Sequence, residues 1–206
     1  MLSSSRVLQA MRIEICGGIA TGKTTLARRL AQDTDCSLVL EDFRANPFWT
    51  RFYENPEKFV REKNVVFFAQ HFGEIKAATS ALVICDYALL QDLAYASQCL
   101  IDDHLDVMSR LWRHLYPPLD PASLIVHLEC HEEIQLERIH ARGRNEEKPI
   151  TVTYLKSLND AIRKMITAYA TAPVFSVRSD DVNFATNEIE SEGLKREILR
   201  QCGVKD

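Results

Sequence analysis

One stretch decides most of what this chain can fold into: Gly17-Gly18-Ile19-Ala20-Thr21-Gly22-Lys23-Thr24-Thr25. Two glycines bracket a four-residue gap, and a Lys-Thr pair follows the second. The apolar run Met11 to Cys16 ahead of it reads as a buried strand. Thr24 to Ala31 behind it reads as a helix, with Leu26 and Leu30 one turn apart. Strand, glycine turn and helix start are the context that a phosphate-binding P-loop requires; otherwise the run would be a chance glycine turn. Glycine lets backbone N–H groups turn inward, and a helix N-terminus adds partial positive charge. All nine residues of the stretch are therefore expected to cradle ATP. Lys23 would reach the β- and γ-phosphates as a catalytic cation, and the Thr24 hydroxyl would help to hold Mg²⁺.

Strands alternate with helices along the rest of the chain. Ser37 to Leu40, Ala81 to Cys85, Ser123 to Leu128 and Val174 to Val177 read as further strands. Between them, helical patterns cover Pro56 to Ala78, Leu89 to Leu115 with a break near Leu100, His131 to Arg142 and Thr151 to Ala170; another follows from Asn187 to Gln201. In the Pro56 helix the apolar stripe is Val65, Phe68, Phe72 and Ile75, with Asn64, Phe67 and His71 as a second stripe beside it. The last helix is marked by Ile189, Leu194 and Leu199. The alternation predicts an α/β fold, a three-layer sandwich of the P-loop NTPase type, with a five-stranded parallel sheet flanked by helices. Ligands bind such sheets at the carboxyl ends of the strands, where the glycine loop, Glu41-Asp42 and Asp86 all fall.

Composition narrows the partners. A formal net charge of −4 argues against a nucleic-acid polymer, which calls for a basic face. The six cysteines form no C-x-x-C pair; Cys16, Cys85 and Cys130 lie in apolar strand runs. They read as core thiols of a reducing, cytoplasmic compartment rather than as disulfides or a zinc site. No apolar run approaches the roughly 18 residues that a membrane span requires. Residues 1–10 have little pattern and are expected to be a flexible tail or a short presequence; residues 11–206 are expected to form one domain.

Three clusters carry chemistry. Asp86 closes the third apolar strand, the place of a metal-holding carboxylate in P-loop enzymes; the alternative is a helix-capping aspartate. Glu41 or its neighbour Asp42, at the end of the second strand, is placed to take a proton from an attacking hydroxyl, and spacing does not choose between them. Arg138 and Arg142 share a helix face, and Gly143 allows a turn that brings Arg144 to the same side. Three guanidiniums near one point need an anion, either a transferring phosphate or simply Glu146 and Glu147.

These residues together resemble the deoxyribonucleoside kinases, the deoxyguanosine, deoxyadenosine and deoxycytidine kinases among them. The glycine loop, Glu41 with Asn46-Pro47, Phe52-Tyr53-Glu54, Asp86-Tyr87 and the run Arg142-Gly143-Arg144-Asn145-Glu146-Glu147 carry the likeness, which spans nearly the whole chain. The resemblance implies transfer of the γ-phosphate of ATP to a deoxynucleoside 5′-hydroxyl, with Mg²⁺ at Thr24 and Asp86 and a homodimer as the assembly. It implies Glu41 rather than Asp42 as general base, and Arg138 as a catalytic cation. Arg142 and Arg144 are the other arginines of a lid at about 138–150 that closes over the phosphates. Tyr53 and Glu147 match the pair that binds the sugar 3′-hydroxyl. Asp181, Asn183 and Phe184 match the loop beside the adenine of ATP. Asn64 falls where the family usually has a base-reading Gln, and Phe67, His71 and Asp92 fall where side chains tune base choice; packing is the alternative for Phe67 and Asn64.

Two departures stand out. Many members carry an arginine after the acid of the third strand, where this chain has Tyr87, and Asn64 is one methylene shorter than Gln. Two other readings differ in the acceptor: a nucleoside monophosphate kinase would need a cationic pocket where Glu41 stands, and a non-catalytic nucleotide switch would need no second pocket.

Overall fold

The computed structural model describes residues 10–99, 103–116, 119–180, 182, 184 and 187–204. The expected tail over residues 1–10 falls almost wholly outside the described residues, as do Asp181 and Asn183.

A five-stranded sheet forms the middle layer. Its strands are β1 (Met11–Gly17), β2 (Ser37–Val39), β3 (Leu82–Cys85), β4 (Leu124–Glu129) and β5 (Val174–Arg178), in the order β2-β3-β1-β4-β5. Every pairing is parallel, with Ile13 opposite Ile84 on one side and Leu124 on the other. The helices are α1 (Lys23–Ala31), α2 (Trp49–Glu54), α3 (Pro56–Ala77), α4 (Leu89–Cys99), α5 (Asp103–Leu115), α6 (Glu132–Arg142), α7 (Val152–Tyr169) and α8 (Glu188–Cys202). On one face Ile13, Ile15 and Val126 pack with Leu26 and Leu30 of α1 and Ile198 of α8. On the other, Val83 and Cys85 meet Phe68 of α3, Leu93 of α4 and Trp112 of α5, while Cys16 and Ile125 meet Leu158 and Ile162 of α7. The α/β sandwich expected from the strand–helix alternation is the one observed.

Three local expectations need correction. The run Met11 to Cys16 is not uniformly apolar in its packing. Arg12 and Glu14 alternate with Ile13 and Ile15, and both charges are buried, joined by an Nε–Oε1 contact of 2.9 Å. On α3, Val65 is 40% exposed. The buried seam runs through Val60, Asn64, Phe67, Phe68, His71 and Ile75, because this helix turns a partly polar face toward a cleft. On α8, Ile189 is 87% exposed; the helix turns Ser191, Lys195, Ile198 and Cys202 inward, and Leu194 and Leu199 lie at the shoulders of that line.

Capping follows the sequence. Asn55 Oδ1 accepts the Lys58 N–H ahead of Pro56 in the first turn of α3, and Thr151 Oγ1 caps α7 through the Tyr154 N–H. All six cysteines are free thiols. Among the described residues no helix is long and apolar enough to cross a membrane.

Candidate active site

A cleft of about 970 Å³ opens beside the glycine loop, walled by that loop, Glu41, Asp86, the α2–α3 aromatics and the arginines that follow β4.

The loop is held from below by side chains far away in sequence. Gln91 Oε1 on α4 accepts the Gly17 N–H at 2.9 Å, and the Thr21 hydroxyl donates to the Gly18 carbonyl at 3.1 Å. A Cβ on Gly18 would lie 2.3 Å from Asn159 Oδ1 and 2.9 Å from Gln135 Oε1. Gly22 has φ +96°, and Phe184 closes the space beside it. The Lys23 ammonium donates to the Gly17 and Gly18 carbonyls at 2.9 and 2.8 Å. Burial pulls its pKa down, and the charges of Glu41 and Asp86 pull it back up. Gly18→Ala is expected to cost about 1–3 kcal/mol of stability by overpacking and to weaken ATP binding. Urea denaturation and ATP titration check this, and wild-type values in both would refute the packing account.

Asp86 joins the two halves of the cleft. Its Oδ2 accepts the Thr24 hydroxyl at 2.6 Å, and its Oδ1 accepts the Glu41 backbone N–H at 2.7 Å. The acid is 4% exposed, and its own N–H donates to the Val39 carbonyl, which fixes it at the end of β3 beside β2. Two hard oxygens beside a phosphate loop are the donor chemistry that Mg²⁺ takes.

The Glu41 carboxylate enters the cleft and keeps 41% of its surface accessible, with protein on its other sides. That enclosure raises its pKa, against the pull of His71 and Lys23. His71 stands behind it rather than on the cleft wall. Its Nε2 lies 3.6 Å from Glu41 Oε1, and its Nδ1 lies 3.1 Å from both Asp92 oxygens. Burial alone would lower the His71 pKa; Asp92, Glu41 and Glu74 outweigh it and lift the value to about 9. The carboxylates of Asp92 and Glu41 on either side of the ring thus favour its protonated form.

The arginines converge as the i, i+4 spacing and Gly143 imply. Gly143 caps α6 with φ 67°, and Arg138, Arg142 and Arg144 all line the cleft. Each is already engaged. Arg138 donates to the carbonyls of Ser179 (2.7 Å) and Ala20 (3.4 Å), lacing the residue that follows β5 to the glycine loop. Arg142 grips buried Glu147 with two bonds of 2.6 and 2.5 Å. Arg144 reaches the same carboxylate at 3.3 Å and lies over the Phe43 ring. Glu147 is thus the anion shared by Arg142 and Arg144, while Arg138 is held by carbonyls.

Comparison with known proteins agrees with this architecture. The sequence pattern of the family described as deoxynucleoside kinase matches residues 13–202. The chain belongs to the deoxynucleoside kinase family. It is 26% identical to a deoxyguanosine kinase of Bacillus subtilis (strain 168) over 196 residues, covering 90% of this chain and 95% of that protein. A deoxyadenosine/deoxycytidine kinase of the same organism is 24% identical over 198 residues, covering 90% of each. Among solved structures, deoxyadenosine kinase from M. mycoides with bound dCTP superposes with a TM-score of 0.75 at 20% identity, over 92% of this chain and 99% of that one. Family membership makes the chain an ATP-dependent deoxynucleoside kinase.

The departure at Tyr87 has a structural counterpart. Its ring stacks on His71 at 4.0 Å, and its hydroxyl donates to Glu74 Oε2 at 3.0 Å, so the side chain is buried against α3 instead of facing phosphate. Tyr53, Asn64, Phe67, Asp92 and Glu147 all line the cleft. Sequence reasoning missed Gln91, Gln135 and Asn159, which support the loop from α4, α6 and α7 and carry no local motif.

Proposed function

We propose that this cleft transfers the γ-phosphoryl group of ATP to the 5′-hydroxyl of a deoxynucleoside, with Glu41 as general base. One observation carries the reading: a single carboxylate, Asp86, holds both the Thr24 hydroxyl of the phosphate loop and the Glu41 backbone. Donor and acceptor groups then face each other across one strand end. The acceptor side is an acid, the opposite of the cationic pocket that a nucleoside monophosphate would need.

In this mechanism ATP lies on the glycine loop, and the Lys23 ammonium exchanges the Gly17 and Gly18 carbonyls for phosphate oxygens. Thr24 and Asp86 would hold Mg²⁺, which neutralises charge on the β- and γ-phosphates. Glu41 takes the 5′-hydroxyl proton as that oxygen bonds to the γ-phosphorus and the bond to the bridging oxygen of ADP breaks. His71, clamped by Asp92, orients the Glu41 carboxylate. Arg138, Arg142 and Arg144 stabilise the moving phosphoryl group, which requires Arg142 and Arg144 to share Glu147 with the nucleotide. Tyr53 and Glu147 hold the 3′-hydroxyl. Phe184 packs under the loop at Gly22, and the proposed adenine-side partners Asp181 and Asn183 lie outside the described residues. Phe67 and Asn64 line the place of the base. A cytoplasmic homodimer is the proposed state; the six free thiols support the reducing compartment.

The test is ADP formation from ATP and Mg²⁺ with each of the four deoxynucleosides, and with dTMP beside thymidine. Turnover with at least one deoxynucleoside and none with dTMP is expected. Turnover with dTMP alone would overturn the assignment of the acceptor.

A further inference from the structure

Lys63 belongs to none of the roles above. It sits on the buried face of α3, is 7% exposed, and lines the cleft. Its ammonium lies 4.0 Å from the centroid of the Phe52 ring. Among the described residues that ammonium has no hydrogen bond and no ion pair within 4 Å. Burial pulls its pKa down, and Cys99, Glu41 and Asp92 pull it back up. A buried cation without a carboxylate partner is costly unless something in the cavity completes its shell.

The next residue is held in a fixed orientation beside it. Asn64 Nδ2 donates to the Val60 carbonyl at 2.9 Å. A carbonyl oxygen only accepts, so the amide orientation is fixed by its neighbour. One of the two Nδ2 hydrogens is committed there and the second stays free, so Asn64 alone does not choose between bases. Oδ1 remains as an acceptor for a ring N–H. A lysine supplies the complementary donor for the O6 and N7 atoms of guanine. Adenine and cytosine place an amino group at that corner and would oppose the ammonium with another donor. Thymine offers O4 but has a methyl group in place of the second acceptor.

We propose that Lys63 is a specificity-determining residue that reads the carbonyl edge of the base, selecting a 6-oxopurine deoxynucleoside over one bearing an amino group there. The inference rests on the deoxynucleoside phosphotransferase reading and names the substrate class of the same site.

The experiment compares kcat/KM for deoxyguanosine, deoxyinosine, 7-deazadeoxyguanosine and deoxyadenosine, with ATP and Mg²⁺, in the wild type and in Lys63→Met. In the wild type, deoxyguanosine and deoxyinosine are each expected to exceed deoxyadenosine by about tenfold or more, with the 7-deaza analogue falling below deoxyguanosine. In Lys63→Met the deoxyguanosine-to-deoxyadenosine ratio falls about ten- to a hundredfold. A wild type that prefers deoxyadenosine, or a variant whose ratio is unchanged, overturns the proposal. The wild-type analogue series decides the matter even if the variant does not fold. Absence of turnover with every deoxynucleoside would instead sink the phosphotransferase reading. Calorimetric titration of wild type with deoxyguanosine and deoxyadenosine, without ATP, then decides the role of Lys63 by which of the two binds more tightly.

Discussion

Glu41→Gln is expected to lower kcat about 10²- to 10⁴-fold while KM for the deoxynucleoside stays within a few-fold. Gln keeps the volume and the backbone N–H that binds Asp86, so the phosphate side of the cleft is undisturbed. What disappears is the oxygen proposed to accept the hydroxyl proton, and with it the charge facing His71 at 3.6 Å. Single-turnover kinetics separate the two effects, because loss of proton transfer slows the chemical step, whereas loss of binding shows in the concentration dependence. Asp42→Asn is the control. The Asp42 carboxylate is exposed and caps the turn at residues 43–45 through the Arg44 N–H, so its removal is expected to leave the chemical step intact. A Glu41→Gln enzyme with wild-type kcat, or an Asp42→Asn enzyme slowed as severely, would transfer the proton-accepting role away from Glu41.

This choice between neighbouring acids shows what a sequence can and cannot carry. The phosphate loop was legible because its parts are contiguous: strand, glycines, lysine and threonine follow one another along the chain. The arginine cluster was legible for the same reason, since helical spacing and Gly143 fix its geometry locally. Asp86 stood out by ending an apolar strand. Contacts between distant segments were not legible. Gln91 under Gly17 and Asn159 under Gly18 look like ordinary helix polars until the sheet brings them together. Lys63, in the charged run Arg61-Glu62-Lys63, carries no motif, and its burial comes from the packing of α3. Val65 and Ile189 misled: apolar residues at helical spacing whose faces meet no layer. Hydrophobic periodicity finds a helix but does not say which side the tertiary packing covers.

Arg12→Met is expected to destabilise the fold by about 3–5 kcal/mol, a large share of the roughly 5–15 kcal/mol that holds a domain together. The variant leaves Glu14, 1% exposed in the central strand, without its 2.9 Å partner. Burial already raises the Glu14 pKa, and Arg12 is the main force opposing that rise. Without the guanidinium, the folded-state value climbs further above the unfolded one. A carboxyl shifted upward contributes its stability below the unfolded pKa and loses it as pH rises through the folded value. The deficit relative to wild type should therefore shrink in acid and grow toward neutrality. Urea midpoints measured from pH 4 to 8 read this directly. The double variant Arg12→Met/Glu14→Leu should recover most of the loss, since a well-packed apolar pair often equals a buried ion pair. A single variant as stable as wild type at pH 7 would show that Glu14 is not strained by desolvation.

Because one oxygen of Asp86 holds the phosphate loop and the other holds the backbone of Glu41, the gap between the phosphate cradle and the proposed base is gauged from a single datum. Changes in packing beneath β3 shift both reference points by the same amount and in the same direction. A shift of that strand end therefore carries both sides of the cleft with it.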